Sequence, residues 1–392
     1  MSNYDTLIEI GIKLSAERDL SRLLQIILED TCKLCKADAG TFYLKKNNKL
    51  EFRVSRNLTL EEKMGKKNFL ESIAPHALPI SNKSIAGWSA KNKKILNIKD
   101  LNSIKGCPYC HNTEFEEKTG YKCKSMLTVP IIDREQKLVG VFQLINKTDQ
   151  WEIKPFSKAD EKLTESLASQ AAVAIRNAQL TDELESAQLE TIFVLGEAAE
   201  YKDKETGDHI KRVATFSKII AETLKLNDNL IETIYRGSPL HDIGKIGIPD
   251  NILNKPGKLD AHEWEIMKEH TTLGYKLLKD SKSEVIKTAA QIAYTHHERW
   301  DGKGYPRGLK GKKIPLSGRI VALSDFFDAL TSDRPYRKKP FSLSETFSMI
   351  EEERGTHFCP ETSDAFFKSI KHIEKISDYF TKKSASIYPP IN

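Results

Sequence analysis

The C-terminal half of this sequence gathers residue types that hold metal ions. His209, His241, His270, His296 and His297 are five of the chain's ten histidines, and Asp242, Asp325 and Glu205 lie among them. Taken singly, each reads as a surface or core residue. Together they offer imidazole nitrogen and carboxylate oxygen, donors suited to zinc, iron or manganese. Two pairs are adjacent in the chain: His241/Asp242 in "SPLHDIGKIGIPDNIL" and His296/His297 in "HHERWDGKGYP". Neighbours on a regular helix point about 100° apart. Either one of each pair packs while the other is exposed, or both lean into one crowded site from a distorted helix end. Gly244, Gly247 and Pro249 stop the first helical pattern, and "WDGKGYP" breaks the second. At a fraying end adjacent ligands can bend toward one ion, and the two oxygens of Asp242 can bridge two cations.

The elements that must position these residues are helical. Residues 200 to 375 read as helix after helix. Before them, residues 157 to 200 contain no proline, and Gly196 is their only glycine. Leu163, Leu167, Ala171, Ala174, Ala178, Leu184, Ala187, Thr191, Leu195 and Ala198 recur there mostly every three or four residues, which predicts one long connecting helix over 157–200. Its seam is small and partly polar. It predicts a parallel homodimer supported by contacts elsewhere, with a linker helix packed on its own domains as the alternative.

The N-terminal half alternates differently. Leucines and isoleucines from Leu20 to Leu34 keep helical spacing, and two apolar runs around Asn47/Asn48 predict a hairpin. "SMLTVPIID" and "KLVGVFQLIN" predict a second strand pair, followed by a helix from near Ser157. With "SIAGWSAKNKKILNIKDL", "VGVFQLINK" and "FSKADEKLTESLASQAAVAIRNA", this ordering resembles a GAF domain, an α+β sensor module with an antiparallel sheet and flanking helices. The resemblance implies a small-molecule ligand of unknown identity. Asn146, Lys147, Phe156, Asp160 and Glu161 are reminiscent of the pattern of cyclic-nucleotide GAF modules, although "TDQWEIKP" stretches the spacing. Asp160 and Glu161 also have a plain role beside the positive end of a helix.

The C-terminal half resembles the HD-GYP family, all-α members of the HD phosphohydrolase superfamily that cleave cyclic di-GMP. The segments that carry this are "KETGDHIKRV", "LHDIGKIGIPDNILNKPGKLDAHEWEIMKEH", "HHERWDGKGYP", "RIVALSDFFDALTSDRPYRK" and "GTHFCPE". The resemblance implies that His209, His241, Asp242 and Asp325 are metal ligands, joined by His270, His296 and His297, with Gly304, Tyr305 and Pro306 as the namesake tripeptide. Lys303 and Cys359 depart from the family's usual residues outside that set. Two or three divalent ions follow, iron first and manganese next. Two such ions activate a bridging water and hold a phosphodiester oxygen for in-line attack.

Around the ligands, Lys245 can bring its ammonium to the scissile phosphate, Arg334 and Arg337 can grip phosphate oxygens, and Tyr305 offers a face to guanine. Their plain readings are surface salt bridges and turn packing. Glu205, four residues before His209, is either a surface acid or the ligand of a third ion, and the resemblance favours the ion. The expected activity is hydrolysis of cyclic di-GMP to linear pGpG, with or without onward hydrolysis to GMP, under GAF control. A catalytically silent adaptor that binds cyclic di-GMP or a protein, and a broader HD-type nucleotide phosphohydrolase, are the rivals.

The expected layout is a GAF domain over 1–180, the connecting helix, an HD-GYP domain over 190–375 and a tail over 376–392. The chain has 392 residues, 39% hydrophobic and 30% charged, enough for more than one core. Its net charge of +6 is dispersed, without the long basic block of a nucleic-acid polymer's partner. The start "MSNYDTLIEIGIKL" lacks a signal-peptide pattern, and no apolar run approaches the ~20 residues of a membrane span. A cytoplasmic protein is expected, with its six cysteines mostly reduced. Cys32/Cys35 and Cys107/Cys110 form two C-x-x-C pairs. Structural or incidental thiols are the simpler reading; a zinc or redox site, with Cys123 as an extra ligand, is the other.

Overall fold

The computed structural model describes the chain except for residues 1–11, 14–16, 18, 74–76, 151, 203–207, 333–338 and 383–392 and the side chains of 377–382. It divides into two compact units, Met1–Leu184 and Glu185–Asn392.

In the first unit, helix α1 (Leu20–Leu34) is followed by β1 (Ala37–Lys46), β2 (Lys49–Asn57), α2 (Leu58–Met64), α3 (Lys66–Ser72), β3 (Ala77–Pro79), α4 (Ile85–Asn92), β4 (Leu96–Ile98), α5 (Glu114–Thr119), β5 (Met126–Ile132), β6 (Leu138–Asp149) and β7 (Glu152–Lys154). The strands form one antiparallel sheet in the order β3-β2-β1-β6-β5-β4, with β7 also on β6. The hairpin turn falls at Asn47, whose φ of 54° is tolerated by asparagine.

Strand alternation sorts the sheet into two faces. Phe42, Leu44, Leu127, Val129, Phe142 and Leu144 pack against Leu23, Leu24, Ile27 and Leu28 of α1. Each such fully buried side chain is worth roughly 1.5–3 kcal/mol of transfer free energy. Ala39, Thr41, Tyr43, Gln143 and Ile145 line a cavity of about 500 Å³ on the opposite face.

A 45-residue helix, α6 (Lys158–Lys202), carries the chain across the division between the units. Its first half differs from the expected seam. Leu167 and Ala171 are buried in the first unit's core, with Leu163, Ala174 and Ala178 packed against it. The exposed apolar residues of this stretch are Val173 and Leu180, which lie off that seam, and Leu184, which belongs to it. Three- and four-residue spacing alone cannot tell a helix face that packs on its own sheet from one left outside.

The described residues of the second unit are helical: α7 (Asp208–Thr223), α8 (Asp228–Gly237), 3-10 turns at Ser238–Leu240 and Ile243–Gly247, α9 (Asp250–Leu253), α10 (Ala261–Leu278), α11 (Glu284–Thr295), α12 (Leu316–Thr331), α13 (Leu343–Glu352), α14 (Pro360–Lys368) and α15 (Ile370–Lys382). The last of these continues well into the stretch expected to be a tail. Val213, Phe216, Ile234, Ile292, Ile320, Phe327 and Phe366 form the core that holds α7, α8, α11, α12 and α14 together. None of the described helices is long and apolar enough to cross a membrane.

Candidate metal centre

The adjacent pairs both sit where helices end. His241 caps the 3-10 turn Ser238–Leu240, and Asp242 precedes the next turn, Ile243–Gly247. That second turn runs so close to α10 that a β-carbon on Gly244 would stand 1.9 Å from the His270 carbonyl oxygen. Only glycine lets Asp242 and Lys245 approach His270 in this way. His296 is the C-cap of α11 and His297 the residue after it, with ring centroids 4.0 Å apart. Both histidines turn into one site, as a distorted helix end allows.

The imidazoles are aimed by hydrogen bonds at their far nitrogens. Nδ1 donates to the Ser238 carbonyl from His241 (2.9 Å), to the Met267 carbonyl from His270 (2.7 Å) and to the Ile292 carbonyl from His296 (3.1 Å). A carbonyl can only accept, so each proton is on Nδ1 and each Nε2 keeps its lone pair. His209 does the same toward the Asp328 carboxylate at 2.6 Å, and Arg212 braces Asp328 from its other side.

Those lone pairs converge on Asp242. Its Oδ1 lies 3.3 Å from His270 Nε2 and 3.4 Å from His296 Nε2. Its Oδ2 lies 3.4 Å from His241 Nε2 and 2.8 Å from the Lys245 ammonium. Asp325 Oδ1 stands 3.4 Å from His209 Nε2 and 3.9 Å from His241 Nε2. Two donor groups result, Asp242/His270/His296/His297 and Glu200/His209/His241, each with its donor atoms within 4.8 Å of one another. Asp242 turns one oxygen to each side.

The electrostatics are those of a site built around cations. Nε2 of His241, His270 and His296, Oδ1 of Asp242 and both carboxylate oxygens of Glu200 are buried without a hydrogen-bond partner. Leaving one such atom unsatisfied costs about 1–3 kcal/mol, so six in one place call for a ligand that satisfies them together. Burial opposes ionisation of Asp242, yet Lys245 and the surrounding histidines hold its carboxyl well below the usual range. Burial pushes His270 down to about 4, and burial with the neighbouring imidazoles holds His297 well below its usual value. His209 and His296 go the other way: burial disfavours the charged form of each, but Asp328 outweighs that at His209 and lifts it to about 9, and Asp242 outweighs it at His296 and raises it.

Of the expected residues, His209, His241, Asp242, His270, His296, His297, Asp325 and Lys245 meet here. Lys245 stands in the 3-10 turn Ile243–Gly247 and ion-pairs with Asp242. Tyr305 is half-buried, with its ring stacked on His297 at 4.8 Å and the Lys268 ammonium 5.8 Å from the ring centroid. Glu205, Arg334 and Arg337 lie outside the described residues. Glu200 was not anticipated: in "GEAAEYK" it reads as a surface acid. The structure buries it on the helix face of Phe193 and Gly196, at i, i+3 and i+7, a face that the charged residues around it do not mark in the sequence. Asp328, three residues after Asp325 on the same helix, and the buried Glu298 were also missed.

Comparison with known proteins agrees with both units. Residues 19–175 match the GAF domain family and residues 193–362 the HD domain family. A cyclic di-GMP phosphodiesterase of Thermotoga maritima is 49% identical over 194 residues, covering 50% of this chain and 52% of that protein. The 3'3'-cGAMP-specific phosphodiesterase 2 of Vibrio cholerae is 42% identical, covering 52% of this chain and 39% of its own. The cyclic di-GMP phosphodiesterase response regulator RpfG of Xanthomonas campestris is 42% identical, covering 52% and 54%. The chain thus spans about half or less of the length of these curated relatives.

Proposed function

For a chain that carries a GAF domain and, after it, an HD domain, we propose a metal-dependent phosphodiesterase that opens cyclic di-GMP to linear pGpG under control of the GAF domain. The observation that carries this is the set of buried, unpartnered Nε2 and carboxylate atoms on both sides of Asp242. A silent adaptor would have no use for so many desolvated donors aimed at one place.

His209, His241 and Asp325 would hold one ion and His270, His296 and His297 the other, with Asp242 placed to serve both. Glu200, and Glu205 beyond the described residues, are the carboxylates for a third. Imidazole and carboxylate donors without a thiolate suit iron and manganese, and we take iron first. When bound, the ions supply Lewis acidity and a water of lowered pKa.

The chain's own groups do the rest. The carbonyls of Ser238, Met267 and Ile292 hold the three imidazoles in the ligating tautomer. Lys245 neutralises Asp242 and presents its remaining protons to the phosphodiester, and Arg334 and Arg337 bind phosphate oxygens from the adjoining segment. Tyr305 closes the rim. The cavity in the GAF domain takes a small regulatory molecule, the exposed stripe of α6 pairs two chains, and the protein works in the cytoplasm.

The test is turnover of cyclic di-GMP and of 3'3'-cGAMP by protein purified anaerobically, with metal analysis on the same sample. Cyclic di-GMP should be cleaved, with cleavage lost on chelation and restored by iron or manganese. Metal-loaded protein that binds cyclic di-GMP without cleaving it would make the chain an adaptor.

A further inference from the structure

The first unit carries a second group of metal donors, remote in sequence from those above. A ring nitrogen of His111, a carboxylate oxygen of Glu116 and the Cys123 sulfur all lie within 4.8 Å of one another. All three side chains also line the cavity of the GAF domain.

Separate pieces of backbone hold the donors. Glu116 stands in the first turn of α5, and His111 in the loop before it reaches Glu116 Oε1 with Nε2 at 2.6 Å. Cys123 comes from the segment entering β5, where buried Asn146 grips both its neighbours. Asn146 Nδ2 donates to the Lys122 carbonyl at 2.7 Å, and its Oδ1 accepts from the Lys124 N–H at 2.7 Å. The same Nδ2 donates to the Tyr121 hydroxyl, which donates in turn to Asp38 at 2.6 Å. Asn146, which looked like part of a nucleotide-binding pattern, is a clamp that fixes where Cys123 points.

We propose that His111, Glu116 and Cys123 form a binding site for a divalent ion of the zinc class, with its remaining position open to the cavity. One nitrogen, one oxygen and one sulfur donor suit such an ion, and three protein ligands leave a tetrahedral centre one place for water or a donor atom of a small molecule. Burial first, and the Glu116 carboxylate next, push the Cys123 thiol up, so it stays protonated without a cation. Coordination reverses that preference: the thiolate binds and its proton leaves to solvent. The alternative is a neutral His111–Glu116 hydrogen bond that merely ties down the loop, with Cys123 as a small apolar filler.

Cobalt(II) separates the two. No cysteine is among the donors of the His/Asp centre, so thiolate-to-cobalt charge-transfer absorption in the near ultraviolet reports a cysteine site only. The full chain, stripped of metal and loaded with cobalt(II) under reducing, anaerobic conditions, should show that absorption. It should disappear in Cys123→Ser and persist in Asp242→Ala and in the Cys107→Ser/Cys110→Ser double variant. His111→Ala, a change in a surface loop, should shift the cobalt titration of this band to higher concentration. The site is ruled out by the absence of the band in the unaltered chain, by its survival in Cys123→Ser, or by a His111→Ala titration that does not move. Loss of the band in the Cys107/Cys110 double variant would move the site to the exposed pair and overturn this ligand set.

Discussion

Asp242 faces His270 and His296 with one oxygen and His241 and Lys245 with the other, so its removal should undo both sides of the centre at once. Asp242→Ala is expected to abolish cyclic di-GMP cleavage and lower the metal-to-protein ratio, while the GAF domain stays folded by circular dichroism and limited proteolysis. Undiminished hydrolysis would remove the bridging role. Glu200 and Glu205 compete for the third ion. Glu200 is buried with neither oxygen hydrogen-bonded among the described residues and with the Lys245 ammonium, 3.8 Å from Oε1, as an ion-pair neighbour, so Glu200→Gln should lower the ratio by about one ion per chain and slow turnover without abolishing it. If Glu205→Gln does so and Glu200→Gln does not, the third ion belongs to Glu205. His209 adds a pH dependence. Its pKa is lifted to about 9 by Asp328, against burial, and a protonated imidazole cannot ligate. Below that pH a bound cation must displace a proton, so apparent metal affinity should rise by up to roughly tenfold per pH unit between 7 and 9. Asp328→Asn removes the charge that holds the proton, and a titration series should then be flatter. Unchanged slopes in that variant would place the titrating group elsewhere. The ligand types were legible in the sequence because histidine pairs beside helix breakers are unusual. Glu200 was not, because a lone glutamate in a charged helix is ordinarily solvated.

The centre depends on where helices stop. Glycine and proline made both breaks readable, but regular helix stops earlier than they suggest: at Gly237, after which 3-10 turns carry His241 and Asp242, and at Thr295, just before His296. What the sequence could not reveal is how the breaks are braced. Glu298, only 2% exposed, accepts the backbone N–H groups of Arg307 and Leu309 at 2.8 Å each, and so fastens the loop that carries Tyr305. Glutamine there would turn one amide N–H toward another donor, at a cost of about 1–3 kcal/mol. Glu298→Gln should therefore raise the KM for cyclic di-GMP more than it lowers kcat, with the metal ratio unchanged; metal loss would instead make Glu298 part of the centre's support. Gly244 braces the other break. Gly244→Ala drives a methyl into the His270 carbonyl, and its measured outcome should be a lower Tm together with lost metal. A variant with normal Tm and metal content would mean the two segments separate at little cost. Neither brace leaves a periodic trace in the sequence, because each depends on residues brought together by the turn itself.

At the scale of the whole molecule, the proposal that two chains pair rests on the exposed apolar stripe of α6. Val173, Leu180 and Val194 fall on one heptad position and Leu184 on the other, and they are 39%, 45%, 56% and 59% exposed in that order. The same two positions carry Asn177, Ala187 and Thr191, all exposed. In the proposed pairing of two chains these positions would form a parallel two-stranded seam, with Asn177 as a polar residue that fixes register at some cost in stability. So short and polar a seam would be weak alone, and the dimer should dissociate on dilution. Sedimentation at a series of concentrations should find a monomer–dimer equilibrium for the unaltered chain. In a Leu180→Glu/Leu184→Glu variant, two acidic side chains per helix would face their copies across the seam, where like charges repel and lose solvation. That variant should be monomeric at every concentration, with its metal content intact because neither residue is a metal donor. A variant that still dimerises would leave α6 as a linker and put the interface on another surface. An unaltered chain that is monomeric throughout would mean that the stripe stays in solvent.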